Sequence, residues 1–362
     1  MSLLFRRLPV SARTLFIARP APIIATRTTT RVYTTGTETD NQSKTGKPPS
    51  YAPIGVDAAL KAPSSGPAPT PTLLSKEFSL ADRVGLVSGG NRGLGLEMAY
   101  ALIEAGARAV YCIDLPKTPS EDWQKVHAYA ARLHGKGGEG RLEYISADVT
   151  DQKAIWKIGE TIGDREGRMD VCVAAAGILK QDIDCLEYPA DTFQEVISVN
   201  VNGVLYTAQA AGRQMRRFGN GGSIILVGSM SGSITNQGHS WVSYNTSKSA
   251  VLQMARSMAC ELGKEDIRVN SLSPGYIYTK LTGAFVDKQP GLIDKWISQN
   301  PQGRIGRPDE LRGVVTWLAS DASTYCTGSE CVVSLILFIK CAFTKEILFW
   351  LSIIVDGGHR AW

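Results

Sequence analysis

Tyr244 and Lys248, one helical turn apart in YNTSKSAVLQMARSMACEL, are the residues whose types and spacing point most directly to chemistry. The apolar stripe Val251, Met254, Ala255, Met258, Ala259 and Leu262 marks the segment as a helix, so the pair shares one face. A free tyrosine titrates near pH ~10 and is a poor acid or base at neutrality. An ammonium about 4 Å away, at an effective dielectric of ~20, contributes roughly 4 kcal/mol, about three pKa units before desolvation opposes it. The pair can therefore carry general acid/base catalysis. Taken alone, Y-x-x-x-K is also a common exposed helical pair, and its meaning depends on its company.

That company includes SGGNRGLG at 88–95, which follows a β-branched run and opens a helical one. Gly89, Gly93 and Gly95 allow a sharp turn and a close backbone approach to a pyrophosphate, and the helix N-terminus offers unpaired N–H groups and partial positive charge. A glycine turn could be tight packing alone, but this strand–turn–helix setting is the one dinucleotide binding requires. Asp114, at the end of the next strand, can accept both ribose hydroxyls of NAD and repel a 2′-phosphate. Arg92 argues for NADP, because a guanidinium there can bind that phosphate. The balance favours NAD, with NADP possible.

These residues need a scaffold to hold them. From about Phe78 the chain alternates short strands (RVGLVSG, AVYCID, EYISADV, MDVCVAAAG, GSIILVGS, IRVNSLSPG) with helical patterns. That alternation predicts a doubly wound α/β domain with a parallel sheet. With 362 residues, 43% hydrophobic and 20% charged, the chain has room for one such domain plus extensions. Six arginines and no acid within residues 1–33 account for more than the whole formal charge of +5, so nucleic acid is not an expected partner. Residues 1–45 have the basic, Ser/Thr-rich composition of a mitochondrial transit peptide, implying the matrix, or the cytoplasm if the leader does not act. Residues 46–77 are proline-rich and read as a linker, and 78–362 as the folded domain. Seven scattered cysteines without C-x-x-C predict neither a zinc site nor a disulfide framework.

Together these features resemble the short-chain dehydrogenase/reductase family. The match runs through the glycine turn, Asp148 in SADV, Gly177 in AAAG, Asn200 in SVNVNG, Ser229 in VGSMSG, YNTSK, and Ser273-Pro274-Gly275, over roughly residues 78–333. The resemblance implies that Tyr244 is the acid/base, that Ser229 hydrogen-bonds the substrate oxygen, and that Lys248 holds the nicotinamide ribose and lowers the tyrosine pKa. It makes Asn200 a fourth member whose backbone carbonyl positions a water, although Asn200 also reads as a helix-bending asparagine. Gly89, Asn91, Arg92, Gly93, Leu94, Gly95, Asp114, Asp148, Val149 and Gly177 would line the dinucleotide. Pro274, Gly275, Ile277 and Thr279 would line its nicotinamide. No metal is called for, and a homo-oligomer, dimer or tetramer, is implied. Ser231 and Ser233 compete with Ser229, which precedes Tyr244 by a slightly long interval. VAAAG also departs from relatives that carry an asparagine at Ala174 or Ala175, a residue that ties strands together.

The wording SMSGSITNQG…SYN resembles polyol dehydrogenases and ketose reductases acting on arabinitol, mannitol or sorbose. Asn236, Gln237, His239 and Ser240 could hydrogen-bond sugar hydroxyls, or form a solvated loop. A 3-oxoacyl thioester reductase of the same fold and a non-catalytic cofactor-binding scaffold remain alternatives. The apolar C-terminal stretch is not expected to span a membrane, because Lys340, Lys345 and Glu346 interrupt its two nine-residue runs, 331–339 and 347–355. Val333 would join Asp356-Gly357-Gly358 in the family's usual ending if 334–355 were absent. Those 22 residues equal 66 nucleotides, and Val333-Ser334 can be encoded by the splice donor GTAAGT. The segment therefore reads as an anomalous insertion, from a retained short intron or a mistaken gene model, that would interrupt a buried strand.

Overall fold

The structure, a computed structural model, describes residues 54–62, 70–133, 140–180, 182–286, 289–300, 302–333, 338–339 and 347–348. The 1–45 leader lies outside these residues, as do part of the 46–77 linker and most of 334–355.

Among the described residues, seven strands form one parallel sheet: β1 Val84–Ser88, β2 Ala109–Asp114, β3 Arg141–Ser146, β4 Val171–Ala174, β5 Gly222–Val227, β6 Ile267–Pro274 and β7 Glu330–Val333. Their spatial order is β3-β2-β1-β4-β5-β6-β7. β1 is buried along its whole length because it has a partner on each side and helices on both faces. The period of two sorts its side chains: Leu86 enters one core and Val87 the other.

The helices are α1 Gly55–Lys61, α2 Gly93–Glu104, α3 Glu121–Ala130, α4 Gln152–Glu166, α5 Ala190–Ile197, α6 Val204–Phe218, α7 Val242–Leu262, α8 Lys280–Val286, α9 Leu292–Ser298 and α10 Arg312–Ala319. Leu102 of α2, Trp123 of α3 and Leu318 of α10 pack into one core. Ile155 of α4, Met215 of α6 and Val251 of α7 pack into the other. This is the doubly wound α/β fold expected from the sequence. Helix starts are specified locally, since the Ser120 hydroxyl accepts the Trp123 N–H at 3.2 Å and the Asp151 carboxylate accepts that of Ala154 at 3.0 Å.

The chain winds outward from β1 through β2 to β3, then returns to place β4 beside β1. The strand order thus reverses at the carboxyl ends of β1 and β4, where α/β sheets open a ligand crevice. Within the linker, α1 leaves Val56 and Leu60 exposed and buries little apolar surface. β7 ends at Val333, whose carbonyl accepts the Gly275 N–H at 2.9 Å. Just beyond it, β8 Phe338–Ile339 and β9 Ile347–Leu348 pair antiparallel. No described helix is long and apolar enough to cross a membrane.

Candidate active site

Tyr244 and Lys248 lie on the first two turns of α7, with the Lys248 ammonium 5.7 Å from the Tyr244 ring centroid. Lys248 is buried and donates to the Val227 carbonyl at 2.8 Å. Burial pushes its pKa down to about 8. Burial also raises the Tyr244 phenol, and a hydrogen bond with Ser229 opposes that rise. Desolvation is the largest influence on the phenol and leaves it above its ordinary value.

Of the three neighbouring serines, Ser229 is the one whose hydroxyl acts on the Tyr244 phenol, holding its pKa down against burial. Its oxygen accepts the Ser231 N–H at 3.1 Å, which leaves its own proton for another acceptor. Ser233 is committed to the Glu330 carboxylate at 2.9 and 3.0 Å. The serine turn docks directly on α7, where a side chain at Gly232 would fall 2.8 Å from the Lys248 carbonyl. Ser249 clamps the same turn through the Gly232 carbonyl at 2.7 Å. The slightly long sequence interval is therefore absorbed by the loop at 233–241 and does not separate Ser229 from Tyr244.

Asn200 sits fully buried in a one-turn π-helix, Ser198–Gly203, between α5 and α6, the kind of widened turn often found at functional sites. Its amide exchanges two hydrogen bonds with the Ile178 backbone, at 2.8 and 2.9 Å, and donates to Ser247 Oγ at 3.0 Å. Gly177 lies against it: a Cβ there would be 3.4 Å from Asn200 Oδ1 and 3.6 Å from Lys248 Nζ.

The glycine turn fits a dinucleotide. Gly89 and Gly93 take φ of +69° and +57°, which favour glycine. A Cβ on Gly93 would meet nothing within 4 Å, so open space lies over the N-terminus of α2. At Gly95 a Cβ would stand 2.1 Å from the Gly89 carbonyl oxygen, so the helix can start this close only with glycine. The Asp114 carboxylate, at the end of β2, accepts the Asn91 N–H at 3.1 Å and the Leu115 N–H at 2.8 Å. Asn91 in turn ties the turn to the start of α3 through Ser120, at 2.7 and 2.8 Å. Arg92 is exposed at the N-cap of α2, and Leu94 packs beside the core formed with α2.

Asp148 caps its own turn by accepting from Thr150 N–H and Oγ, while Val149 packs against Gly203. Ile277 bridges to Gly306, and the Thr279 hydroxyl is 3.2 Å from that of Thr282. Lys280 forms an ion pair with Asp122 of α3. The strand tie that VAAAG left open comes from Ser88, whose carbonyl accepts the Ala175 N–H at 3.2 Å and whose hydroxyl accepts that of Ala176 at 3.4 Å.

On the substrate side the structure adds an aromatic wall. Tyr276 stacks on Trp296 at 4.0 Å and His239 on Trp241 at 4.1 Å, while Trp241 meets the Tyr244 ring edge-on at 6.2 Å. The four polar residues of the 236–240 loop fare differently. Asn236 is buried and donates to the Tyr276 hydroxyl at 3.1 Å. The His239 ring is buried in the stack beside Asp182. Gln237 and Ser240 are exposed, with the Gln237 carbonyl held by Lys295 at 3.0 Å and the Ser240 N–H by Asp182 at 3.0 Å. Sequence reasoning missed Trp241, Tyr276 and Trp296; the position of Tyr276 directly after Pro274-Gly275 was the available signal.

A family profile described as enoyl-(acyl carrier protein) reductase matches residues 89–335 and stops where the anomalous segment begins. The sorbose reductase of Schizosaccharomyces pombe is 39% identical over 72% of this chain and 97% of its own length. The chain belongs to the short-chain dehydrogenase/reductase family. An NADH-dependent L-xylulose reductase of Ambrosiozyma monospora is 31% identical over 79% of this chain and 97% of its own. The crystal structure of a short-chain type dehydrogenase/reductase from Mycobacterium marinum superposes with a TM-score of 0.65 at 38% identity, covering 72% of this chain and 97% of that one. Membership makes the protein an NAD(P)-dependent oxidoreductase. Gly177 lies against both Asn200 and Lys248, and Gly89 packs on Ala176, so Asn200 and Lys248 lie close to the glycine turn.

Proposed function

We propose that this enzyme interconverts a polyol and its ketose, using NAD in preference to NADP. The observation that carries the reading is the pairing of Tyr244 with a buried Lys248 5.7 Å from its ring on one face of α7, beside the open space over Gly93. Asp114, Gly89, Gly93, Gly95 and Lys248 would hold the dinucleotide, which when bound supplies the acceptor or donor of hydride. In oxidation, ionised Tyr244 takes the proton of the substrate hydroxyl while Ser229 holds the same oxygen; in reduction Tyr244 returns the proton. The aromatic residues packed beside Tyr244 would limit water at the reacting oxygen, and positioning would account for much of the rate. The likeness to a sorbose reductase and an L-xylulose reductase supports a ketose substrate.

Arabinitol, mannitol, sorbitol and an acetoacetyl thioester, each assayed with NAD and NADP, test the reading. A polyol with NAD should lead. The two backbone N–H bonds that orient the Asp114 carboxylate predict at least a tenfold preference for NAD, about 1.4 kcal/mol, and equal use of NADP would assign the choice to Arg92. Preference for the thioester would instead favour the 3-oxoacyl reductase, a reading supported by the acyl carrier protein reductase description of the matching profile.

The 1–45 leader supports a mitochondrial matrix location, and its fusion to a fluorescent reporter should give a mitochondrial signal; diffuse fluorescence would refute this. The family supports a homo-oligomer, dimer or tetramer. The 334–355 segment is proposed to come from a retained intron or a mistaken gene model. Message lacking the 66 nucleotides, and better solubility on deleting 334–355, are the expected results; retention in nearly all message together with activity lost on deletion would reverse the proposal.

A further inference from the structure

We propose that Ser247 is a positioning residue, whose buried hydroxyl fixes the catalytic turn of α7 against Asn200. The inference rests on Tyr244 acting as the acid/base. Its basis is a hydrogen-bond chain with no slack. Asn200 Nδ2 donates to the Ile178 carbonyl at 2.9 Å and to Ser247 Oγ at 3.0 Å, and Asn200 Oδ1 accepts the Ile178 N–H at 2.8 Å. Ser247 Oγ then donates to the Tyr244 carbonyl at 2.7 Å. Asn200 and Ser247 are both 0% exposed.

An amide nitrogen has two protons and a hydroxyl one, so every donor in this chain is committed. The Asn200 side chain has no proton left for substrate or solvent, and its effect must pass through what it holds. One end of the chain is the backbone just beyond β4; the other is the residue that bears the phenol. Successive donors pointing the same way polarise one another in a dry site, which stiffens the link.

A serine that donates to the carbonyl three residues back also competes with the helical bond and bends the first turn slightly. That turn carries Tyr244 toward Ser229, so the tilt set by Ser247 sets the alignment of the phenol with Ser229. Alanine is nearly the same size, and its substitution would remove the link while leaving the packing.

The test compares Ser247→Ala, Asn200→Ala and the double variant with the full chain, using NADH and the most active ketose among L-sorbose, L-xylulose and D-fructose. Ser247→Ala is expected to stay folded by circular dichroism and to keep KM within about twofold. Its kcat should fall about tenfold, less than the 10²-fold that an ångström of misplacement causes. The ionisation limb of kcat/KM should move to higher pH, because a tilted turn takes the phenol out of line with Ser229, the group that opposes its rise. The double variant should be no worse than Asn200→Ala, since one broken link already severs the chain. Ser247→Cys, similar in shape but a weak donor, is the second variant if alanine fails to fold, and should show the same shift.

Wild-type kcat and pH limb in either folded variant, or losses that add in the double variant, would overturn the role of Ser247. If Tyr244→Phe were itself active, the acid/base reading would fail first; an inactive Tyr244→Phe beside an unaffected Ser247→Ala would remove this inference alone.

Discussion

Tyr244→Phe is expected to lower turnover by about 10²–10⁴-fold, the range general acid/base groups contribute, while NADH binding stays near wild type. Phenylalanine keeps the ring that meets Trp241 edge-on and lies near the Lys248 ammonium, so the aromatic cluster retains its packing. What is lost is one oxygen, the atom that would exchange a proton with substrate. Steady-state rates with a ketose, paired with a fluorescence titration of NADH, separate the two effects. Turnover above a tenth of wild type would show that the proton travels another way.

Gly95→Ala should abolish dinucleotide binding, with affinity falling by more than about 10²-fold, because the third glycine of the turn sets the close packing of helix on strand. The new Cβ would stand 2.1 Å from the Gly89 oxygen and 2.7 Å from its carbonyl carbon. Both are backbone atoms of the turn itself, and neither can swing aside as a side chain tip would. The turn must open, displacing the N–H groups that would face a bound pyrophosphate. NADH titration is the measurement, with circular dichroism to show that the sheet survives. Affinity within threefold of wild type would mean that the dinucleotide lies elsewhere.

The parts of the site readable from the sequence are those that depend on local geometry. Tyr244 and Lys248 declare themselves because i, i+4 spacing fixes their relation inside one helix, and Gly89 to Gly95 because a turn is built from neighbours. The strands were legible for the same reason, since burial on both faces leaves runs such as VGLVS nearly without charge. What stayed hidden depends on encounters between distant segments. Trp241, Tyr276 and Trp296 form their wall only when the loop before α7, the end of β6 and α9 meet. Spacing could not show that Asn236 is occupied by Tyr276, nor that burial holds Lys248 near pKa 8 and the Tyr244 phenol above its usual value. The ion pair between Asp122 and Lys280 joins residues 158 positions apart, across no motif at all.

β7 is paired on one side only among the described residues, through β6. Its outer row of N–H and C=O groups is a template that another chain can extend. The most apolar run of the sequence begins within this strand, at Cys331, and continues past its end. A newly made chain therefore faces a race. Closing β7 onto β6 brings together segments 58 positions apart, as the Ser271 and Ser329 contact shows, at a rate that does not depend on how crowded the solution is. Joining edge to edge with a neighbour speeds up as molecules become more numerous. Dilution should accordingly raise the share of chains that reach the folded state.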